Sequence, residues 1–292
     1  MGELLDSEKI DFLRRKAYEL RLSSMNMIWH GGSGHPGGSL SIAEIVACLY
    51  YEEMQVFPSQ PRYPWRDRLV LSKGHSAPIV YAALADLAFF PEEELRTLRH
   101  IGSNLQGHPC MKKTPGIDMT TGSLGQGLSA ATGMALALRH HKKAERQYRV
   151  YAILSDGELQ EGMSWEAAMS AAHYRTDNLA AIVDYNNLQV DGRVDQIMGI
   201  EPLEDKWKSF GWRTFTCNGH DVAAILDRLV RMREVKGSPS VLIAKTVKGK
   251  GVSFMENVME WHANPLTHDC FNQSMLELQA AYDALAAEPV QG

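Results

Sequence analysis

Two apolar runs on either side of a helix-forming stretch dominate the middle of this chain. Residues 150–154 (VYAIL) form a short apolar run that ends at the polar tripeptide 155–157 (SDG), which is typical of a buried strand. Residues 160–173 are rich in Ala, Met and Glu and predict a helix, and residues 179–183 form a second apolar run. A strand, helix and strand in this order favour a right-handed crossover between parallel strands.

The rest of the chain continues this alternation of helices and short strands. Further helices are predicted at residues 7–27, 41–51, 76–88, 91–100, 128–139, 203–210, 221–235 and 273–287. Further strands are predicted at residues 68–71, 213–216 and 240–246. No internal repeat or linker interrupts the pattern, so we expect an α/β fold with a mainly parallel sheet, formed as a single domain over residues 1–292.

Composition narrows the class of protein without naming a reaction. The 292 residues are 45% hydrophobic, and 30 basic against 35 acidic side chains give a net charge of −5, which argues against a nucleic-acid-binding or anionic-membrane surface. Four cysteines without a CxxC pair argue against a zinc site and a disulfide scaffold. We see no targeting segment and no apolar window approaching the roughly 20 residues of a spanning helix, so we expect a cytoplasmic protein.

Asp156 and Asn186 follow the two predicted strands of the central unit. Because the carboxyl ends of parallel strands share one edge of a sheet, where ligands bind, both side chains can converge on one ion. One carboxylate, one amide and a backbone carbonyl suit Mg²⁺ that shares its coordination sphere with phosphate oxygens. Asp156-Gly157 or Asn186-Asn187 alone is more often an ordinary turn, but together at this spacing they predict a metal and phosphate-ester site.

Four histidines lie in Gly- or Trp-flanked loops rather than on apolar helix faces: His35, His75, His108 and His262. A lone histidine of this kind is more often structural. Four that gather at one sheet edge could instead donate to phosphate and sugar hydroxyls and transfer protons near pH 7.

Two glycine-rich loops are also candidates for phosphate contacts. Residues 120–127 (TTGSLGQG) precede a predicted helix whose start is a natural anion site. A dinucleotide-binding interpretation of these glycines is weak, because no convincing strand precedes them and the spacing is not GxGxxG. For Lys248 and Lys250 in the loop KGKG, we favour a solvated turn over a phosphate contact.

These segments together resemble the transketolase family of thiamine diphosphate enzymes over nearly the whole chain. The motifs that carry the resemblance are SGHPGGSLS, LSKGH, LQGHP, TTGSLGQGLS, SDGELQEG and TVKGKGVSFMEN. The chain is most similar to the separate N-terminal subunit of split transketolases. The resemblance implies a doubly wound, mainly parallel sheet with helices on both faces, the diphosphate-type domain of the thiamine diphosphate-binding fold.

The resemblance also implies a metal site. In the family, an Asp in a Gly-Asp-Gly turn, an Asn about thirty residues later and the carbonyl two residues beyond it hold the divalent ion that anchors the diphosphate. By position these are Asp156, Asn186 and Leu188, with Mg²⁺ as the expected ion and Ca²⁺ or Mn²⁺ as substitutes. Ser155 stands in place of the first Gly, which leaves the side-chain ligands intact and slightly stiffens the turn.

Further roles follow from the family pattern. His75 and His262 should approach the diphosphate, whereas His35 and His108 should line the channel and contact substrate hydroxyls. The implied catalytic residues are His35, His108, His262 and Glu161. The implied cofactor contacts are His75, Gly122, Ser123, Leu124, Gly157, Glu158, Asn186 and His262. Glu161 matches a glutamate at the subunit interface, although on its own it is equally an acid in the first turn of a helix.

The implied activity is transfer of a two-carbon ketol unit from a ketose phosphate to an aldose phosphate. Full-length transketolases have two further domains, one of which binds the aminopyrimidine and supplies the activating glutamate, so a separate C-terminal subunit is expected as partner. Two copies of each chain would form a heterotetramer. Departures from the family pattern at Ala263, Asn218 and Asn187 bear on sugar specificity rather than on the cofactor.

Three alternative functions remain open at this point. Another thiamine diphosphate enzyme, such as an oxoacid dehydrogenase α-subunit or a deoxyxylulose-phosphate synthase-like protein, would share the metal motif. A non-catalytic cofactor-binding module would have lost its chemistry, which the intact Asp156, Asn186 and histidines argue against. A NAD-binding protein is the third alternative.

Overall fold

The computed structural model describes residues 7–140 and 148–287. At its centre is a sheet of five parallel strands, all in chain positions that the apolar runs predict. The strands are β1 (Arg68–Leu71), β2 (Val150–Ser155), β3 (Leu179–Tyr185), β4 (Arg213–Asn218) and β5 (Ser240–Lys245). Their order across the sheet is β1-β2-β3-β5-β4, so the predicted parallel pairing within the central unit is confirmed.

Helices cover the sheet and connect its strands. They are α1 (Ser7–His30), α2 (Pro36–Leu40), α3 (Ala43–Cys48), α4 (Ala77–Asp86), α5 (Gln126–His140), α6 (Gly162–His173), α7 (Val194–Ile197), α8 (Leu203–Ser209), α9 (Val222–Glu234) and α10 (His268–Ala287). Shorter 3₁₀ turns lie at Gly74–Ser76, Glu92–Thr97, Gly157–Gln160 and Met259–His262, and a π-helical turn lies at Leu49–Glu53.

Two separate hydrophobic cores show that helices pack on both faces of the sheet. Successive strand side chains point to opposite faces, so Tyr151 and Ile153 pack with α1, α3, α4 and α9, whereas Ala152 and Leu154 pack with α5, α6 and α8. The expected doubly wound α/β architecture is therefore confirmed.

The chain skips one position after β3 and reverses direction at the edge strand β4, which places β5 beside β3. After β3 the chain passes through α8 to the edge strand β4 and then returns through α9 to β5. The register pairs Ser155 with Asp184 and Tyr185 with Lys245, so β2, β3 and β5 end at the same level. Ligands of open α/β sheets bind at such a reversal, beyond the carboxyl ends of the strands.

Several predicted elements differ from the structure. The helix predicted at 41–51 is present as α3 and the π-helical turn, but helical structure begins earlier, in α2 at Pro36, whose fixed φ suits the first helical position. The helix predicted at 91–100 is only a 3₁₀ turn at Glu92–Thr97, after which Arg99 adopts φ 63°. Within the described ranges, no helix combines the length and apolar character that crossing a membrane requires.

Candidate functional site

The candidate site is formed by residues that follow four neighbouring strands. Lys73 and His75 follow β1, Asp156 follows β2, Asn186 follows β3, and Lys248 follows β5. Parallel pairing brings these segments to one edge of the sheet, as expected from the positions of Asp156 and Asn186.

Asp156 is a buried carboxylate held by backbone groups. It is 1% exposed, its Oδ1 accepts a hydrogen bond from the Gly157 N–H at 2.8 Å, and its Oδ2 accepts one from the Asn187 N–H. Burial and the like charge of Asp184 raise its pKa to about 7, against the opposing effect of these hydrogen bonds and of Lys73. A divalent cation at this carboxylate would supply the positive charge that its surroundings only partly provide.

Asn186 is oriented by Asp184, a buried residue that the sequence analysis did not single out. The Asn186 Nδ2 donates to Asp184 Oδ2 at 2.9 Å, while the Asn186 Oδ1 accepts from the Leu188 N–H at 3.0 Å. Asp184 is also paired with the buried Lys73 and accepts from the Ser41 hydroxyl at 2.7 Å. Burial alone would raise the pKa of Asp184, but the charge and hydrogen bond of Lys73 lower it overall.

Lys248 lies inside the site, so our preference for a solvated turn at this residue was wrong. Its side chain is 2% exposed, and Nζ donates to the Leu188 carbonyl at 3.1 Å and to His262 Nδ1 at 2.9 Å. Burial and the nearby charge of Lys73 lower its pKa to about 8. Lys250, two residues later, is partly exposed and pairs with Glu256 at 3.1 Å, as a solvated turn would.

The four loop histidines gather into one cluster, as the sequence predicts. His35 is central, with ring centroids 5.4 Å from His75, 5.9 Å from His108 and 5.4 Å from His262. The rings of His75 and His262 are 5.0 Å apart. Lys248 connects this cluster to the carbonyl of Leu188 and so to the proposed metal ligands.

These imidazoles are neutral at physiological pH. Burial, followed by the charges of Arg99, His108 and lysines, lowers the pKa of His35 to about 4. Burial and the charge of Lys248 lower the pKa of His262 to about 3, and the pKa values of His75 and His108 are also lowered, chiefly by burial. A neutral imidazole has one donor and one acceptor nitrogen, so the cluster can bind hydroxyls in either sense.

The glycine loop before α5 lies against this cluster. Gly122 has φ 135°, and a Cβ added to it would meet His108 Cδ2 at 2.8 Å. Glycine is required there for both conformation and space. The neighbouring Ser123 and Leu124 are exposed, so the segment Gly122–Leu124 presents its surface beside His108.

Glu158 connects the glycine loop to the turn after β2. Its fully buried carboxylate accepts from the Ser72 hydroxyl, from the Gly125 N–H at 2.8 Å and from the Ser155 N–H at 3.2 Å. The Ser155 hydroxyl accepts from the Glu158 N–H at 3.3 Å, which gives Ser155 a defined place in the turn. Glu161 is exposed, and its Cβ lies 2.8 Å from where a Cβ on Gly125 would stand.

The donors present suit a phosphate ester bound together with a divalent cation. Within residues 7–140 and 148–287, no group of three or more His, Cys, Asp or Glu side chains could hold a metal by itself. A set made of one carboxylate, one amide and one carbonyl needs further oxygens, which phosphate provides. The hydroxyl of Ser76, next to His75, is buried and has no partner in the described part of the chain, so a polar ligand would complete it.

Arg99 is another residue that the sequence analysis missed. Its Nη1 donates to the Ser33 hydroxyl at 3.0 Å, and its Nη2 lies 3.3 Å from His35 Nδ1. Arg99 lies outside the quoted motifs, and no local pattern distinguishes it from other surface arginines. Lys73 lies inside LSKGH, where a lysine within an otherwise apolar and small-residue segment was a usable signal.

Comparison with known proteins identifies relatives over nearly the full length. Residues 13–283 match the family described as transketolase, thiamine diphosphate binding domain. The chain is 45% identical over 275 residues to the 6-deoxy-6-sulfo-D-fructose transketolase subunit SqwG of Clostridium sp. (strain MSTE9), covering 94% of this chain and 98% of that subunit. It is 35% identical to an apulose-4-phosphate transketolase subunit of Phocaeicola vulgatus, covering 96% and 98% of the two chains.

Longer relatives match over the same part of this chain. Mouse transketolase is 41% identical over 273 residues, which are 94% of this chain but 43% of that protein. The crystal structure of transketolase from Campylobacter jejuni superposes with a TM-score of 0.85 at 30% identity, covering 94% of this chain and 46% of that one. The chain thus spans less than half the length of these two proteins and almost the whole length of the two subunits.

Proposed function

The chain belongs to the transketolase family, and from that premise we propose that it is the N-terminal subunit of a split transketolase. Residues 1–292 form one diphosphate-type domain that binds thiamine diphosphate with Mg²⁺, or with Ca²⁺ or Mn²⁺ in its place. The assembled enzyme transfers a two-carbon ketol unit from a ketose phosphate to an aldose phosphate. The four free cysteines fit the reducing cytoplasm as its location.

One juxtaposition carries this proposal. Lys248 Nζ lies within hydrogen-bond distance of both His262 and the Leu188 carbonyl, so the histidine cluster and the Asp156–Asn186 pair form one continuous site. In this proposal, the site for the metal-bound diphosphate is adjacent to imidazoles that suit sugar hydroxyls. An oxidative decarboxylase has no comparable need for several hydroxyl-binding histidines.

The residues divide the work by their chemistry. Asp156, Asn186 and the Leu188 carbonyl would hold the divalent ion, and thiamine diphosphate, when bound, supplies the carbon nucleophile that breaks the C2–C3 bond of the ketose. The proposed cofactor contacts come from the cluster and the two turns: His75, Gly122, Ser123, Leu124, Gly157, Glu158, Asn186 and His262. His35, His108 and His262 hydrogen-bond substrate hydroxyls and move protons there.

A partner chain completes the site in this proposal. Large apolar side chains are exposed around the turn after β2 and the glycine loop: Leu124 is 37% exposed, Met163 41%, Ile197 47% and Met198 60%. Exposed apolar side chains that lie together are typical of interaction surfaces. Glu161 lies among them, where it would face the activating glutamate of the separate C-terminal subunit, in a heterotetramer of two copies each.

The test is a two-carbon transfer assay with this chain alone and with the product of the neighbouring gene. Xylulose 5-phosphate and ribose 5-phosphate are the first donor and acceptor, with thiamine diphosphate and Mg²⁺. The second donor is 6-deoxy-6-sulfo-D-fructose, the sugar in the name of the 45% identical relative. Activity in the mixture that is lost in Asp156→Ala and kept in the exposed control Asp205→Ala supports the proposal.

Three measurements separate the alternatives. Reduction of an artificial electron acceptor with pyruvate would indicate an oxoacid dehydrogenase, and condensation of pyruvate with glyceraldehyde 3-phosphate a deoxyxylulose-phosphate synthase. Saturable fluorescence quenching with NADH would indicate a dinucleotide protein. Cofactor binding without turnover of any of these substrates would leave a non-catalytic module. A mass measurement that gives a stable monomer of this chain in the presence of the partner, or a complex of only one copy of each chain, would refute the heterotetramer.

A further inference from the structure

A buried ion pair outside the histidine cluster supports one of its segments. Arg21 on α1 is fully buried and makes two hydrogen bonds of 2.7 Å with the two carboxylate oxygens of Glu44 on α3. The Arg21 Nε and Nη2 also donate to the Leu40 carbonyl at 3.2 and 3.1 Å. Leu40 ends α2, the helix that begins directly after His35, so this pair anchors the segment that carries the central histidine.

The same carboxylate also holds His220, which lies in the turn between β4 and α9. His220 Nδ1 is 3.0 Å from Glu44 Oε2, and its Nε2 is 2.8 Å from the Val247 backbone nitrogen. Because the Val247 N–H is a donor, His220 Nε2 must be the unprotonated acceptor and Nδ1 must be the N–H that donates to Glu44. The Asn218 Oδ1 accepts from the His220 N–H at 3.0 Å and fixes the turn.

Val247 directly precedes Lys248, so this hydrogen bond acts on the segment that carries the site lysine. The segment is fixed at a second point, where the Gly249 N–H donates to the Gly37 carbonyl at 3.0 Å. A Cβ on Gly37 would lie 3.0 Å from Lys248 Cγ, so the Lys248 side chain packs against the Gly37 backbone with little space for adjustment. A shift of Val247 would therefore move Lys248 Nζ away from His262 and Leu188.

We propose that His220 is a positioning residue that places the Lys248 ammonium in the cofactor site through its Nε2 bond to the Val247 N–H. This rests on the proposed function, in which Lys248 lies beside the bound diphosphate. His220 does not touch the cluster itself and acts through the backbone. The competing explanation is a buried histidine that stabilises the fold without any specific effect on Lys248.

Two substitutions distinguish these explanations because each keeps one of the two ring contacts. In His220→Gln the terminal amide can replace Nε2 and still accept from Val247, whereas in His220→Asn the shorter amide can replace Nδ1 and donates only to Glu44. The exposed His173→Asn is the matched control. The first readout is the nitrogen spectrum of His262 in labelled, cofactor-free protein, because Lys248 Nζ donates to His262 Nδ1.

The expected result is a changed His262 Nδ1 resonance in His220→Asn and wild-type resonances in His220→Gln and His173→Asn. In the assembled complex, the dissociation constant of thiamine diphosphate with Mg²⁺ should rise about 10-fold in His220→Asn, as loss of one hydrogen bond predicts, and stay within about 3-fold in His220→Gln. In a Lys248→Met background, His220→Asn should have little further effect on this constant.

Three results would overturn the proposal: equal effects of Asn and Gln, full additivity with Lys248→Met, or a protonated Nε2 on His220 of the wild-type protein. The wild-type tautomer needs no variant, so a protonated Nε2 would refute the proposal even where His220→Asn folds poorly. The His262 spectrum and the tautomer need no cofactor. A complex that fails to bind thiamine diphosphate would therefore refute the proposed function and leave the role of His220 decided by these two spectra.

Discussion

Replacing Asp156 by Asn should have two effects. It should stabilise the metal-free chain at alkaline pH, and it should abolish the stabilisation that cofactor and Mg²⁺ give to the assembled complex. The Asp156 carboxylate is buried next to Asp184, and the pKa is raised from 3.8 to about 7. Above pH 7 the Asp156 carboxyl is ionised in both the folded and the unfolded chain, so the folded chain bears the full free-energy cost of burying that charge. As the pH falls from 7 towards 4, the folded form takes up a proton first and the penalty disappears.

The magnitude follows from the shift and from the hydrogen bonds that Asn cannot make. At about 1.4 kcal/mol per pKa unit the penalty is at most about 4 kcal/mol at pH 8 and about 1.6 kcal/mol at pH 5. Asn presents one acceptor to two backbone donors, Gly157 N–H and Asn187 N–H, at a cost of about 1–3 kcal/mol. The free energy of unfolding of Asp156→Asn should therefore exceed that of the wild type by about 1–3 kcal/mol at pH 8 and should not exceed it at pH 5.

Urea denaturation in EDTA at the two pH values measures this difference, with Asp184→Asn as control. Asp184 is also buried, but its carboxylate is paired with Lys73, so that substitution should destabilise by about 3–5 kcal/mol. In the assembled complex, cofactor and Mg²⁺ at about 100 times the dissociation constant should raise the free energy of unfolding of the wild type by about 2.7 kcal/mol. The same addition should not change the free energy of unfolding of Asp156→Asn. Equal stability of wild type and Asp156→Asn at pH 8, or equal gain from the cofactor, would refute the reasoning.

Three further predictions concern the cluster. Gly122→Ala should lower the free energy of unfolding by about 1–3 kcal/mol and weaken cofactor binding, because φ is 135° and the new Cβ meets His108. The control Gly133→Ala lies in open space on α5, so it should be neutral or stabilising when both variants are compared by thermal unfolding. Lys248→Met should raise the pKa of His262 measured by NMR titration, whereas Lys250→Met should leave it unchanged. His35 and His262 should stay neutral in the folded chain from pH 8 to 5. Because the same histidines take up protons in the unfolded chain below about pH 6.5, the free energy of unfolding should fall as the pH drops below that value. An NMR titration midpoint near pH 6.5 for either ring would contradict this.

The predictable part of the fold is the part set by local pattern. The apolar runs that form β2 and β3 are continuous and are bounded by turn residues. This is the sequence pattern expected of strands that are covered by helices on both faces of the sheet. The order of β4 and β5 depends on contacts between distant segments, and no local pattern encodes it. The first part of the helical segment at 36–53, residues 36–40, was not predicted because Gly37 and Gly38 suggest a loop, whereas burial of residues 36–40 keeps that part helical.

The candidate site divides in the same way. Asp156, Asn186 and the histidines were predictable because strand ends and glycine loops place them at one edge. Lys73, Asp184 and Lys248 were harder to assign because charged residues are rarely buried, and the exception becomes visible only when opposite charges and carbonyls converge. Lys248 resembles its partly exposed neighbour Lys250 in sequence. The two are separated by the packing of Gly37 against Lys248 and by the bonds of Lys248 to Leu188 and His262.

The charges of the site explain why a diphosphate and a divalent ion should enter together. Lys73 is paired with Asp184, and the pKa values of the four histidines are lowered, so the remaining cations are Lys248 and, beside His35, Arg99. Asp156, with a pKa of about 7, is the carboxylate among the proposed metal ligands. A diphosphate alone would place several negative charges beside Asp156 with Lys248 as the nearest uncommitted cation of the cluster. A divalent ion alone would find only three protein oxygens and would keep water in its other positions, and it would compete with Lys248 for the Leu188 carbonyl. Each ligand removes the obstacle to the other, so thiamine diphosphate affinity should rise steeply with Mg²⁺ concentration, and equal affinity in EDTA would contradict this account of the site.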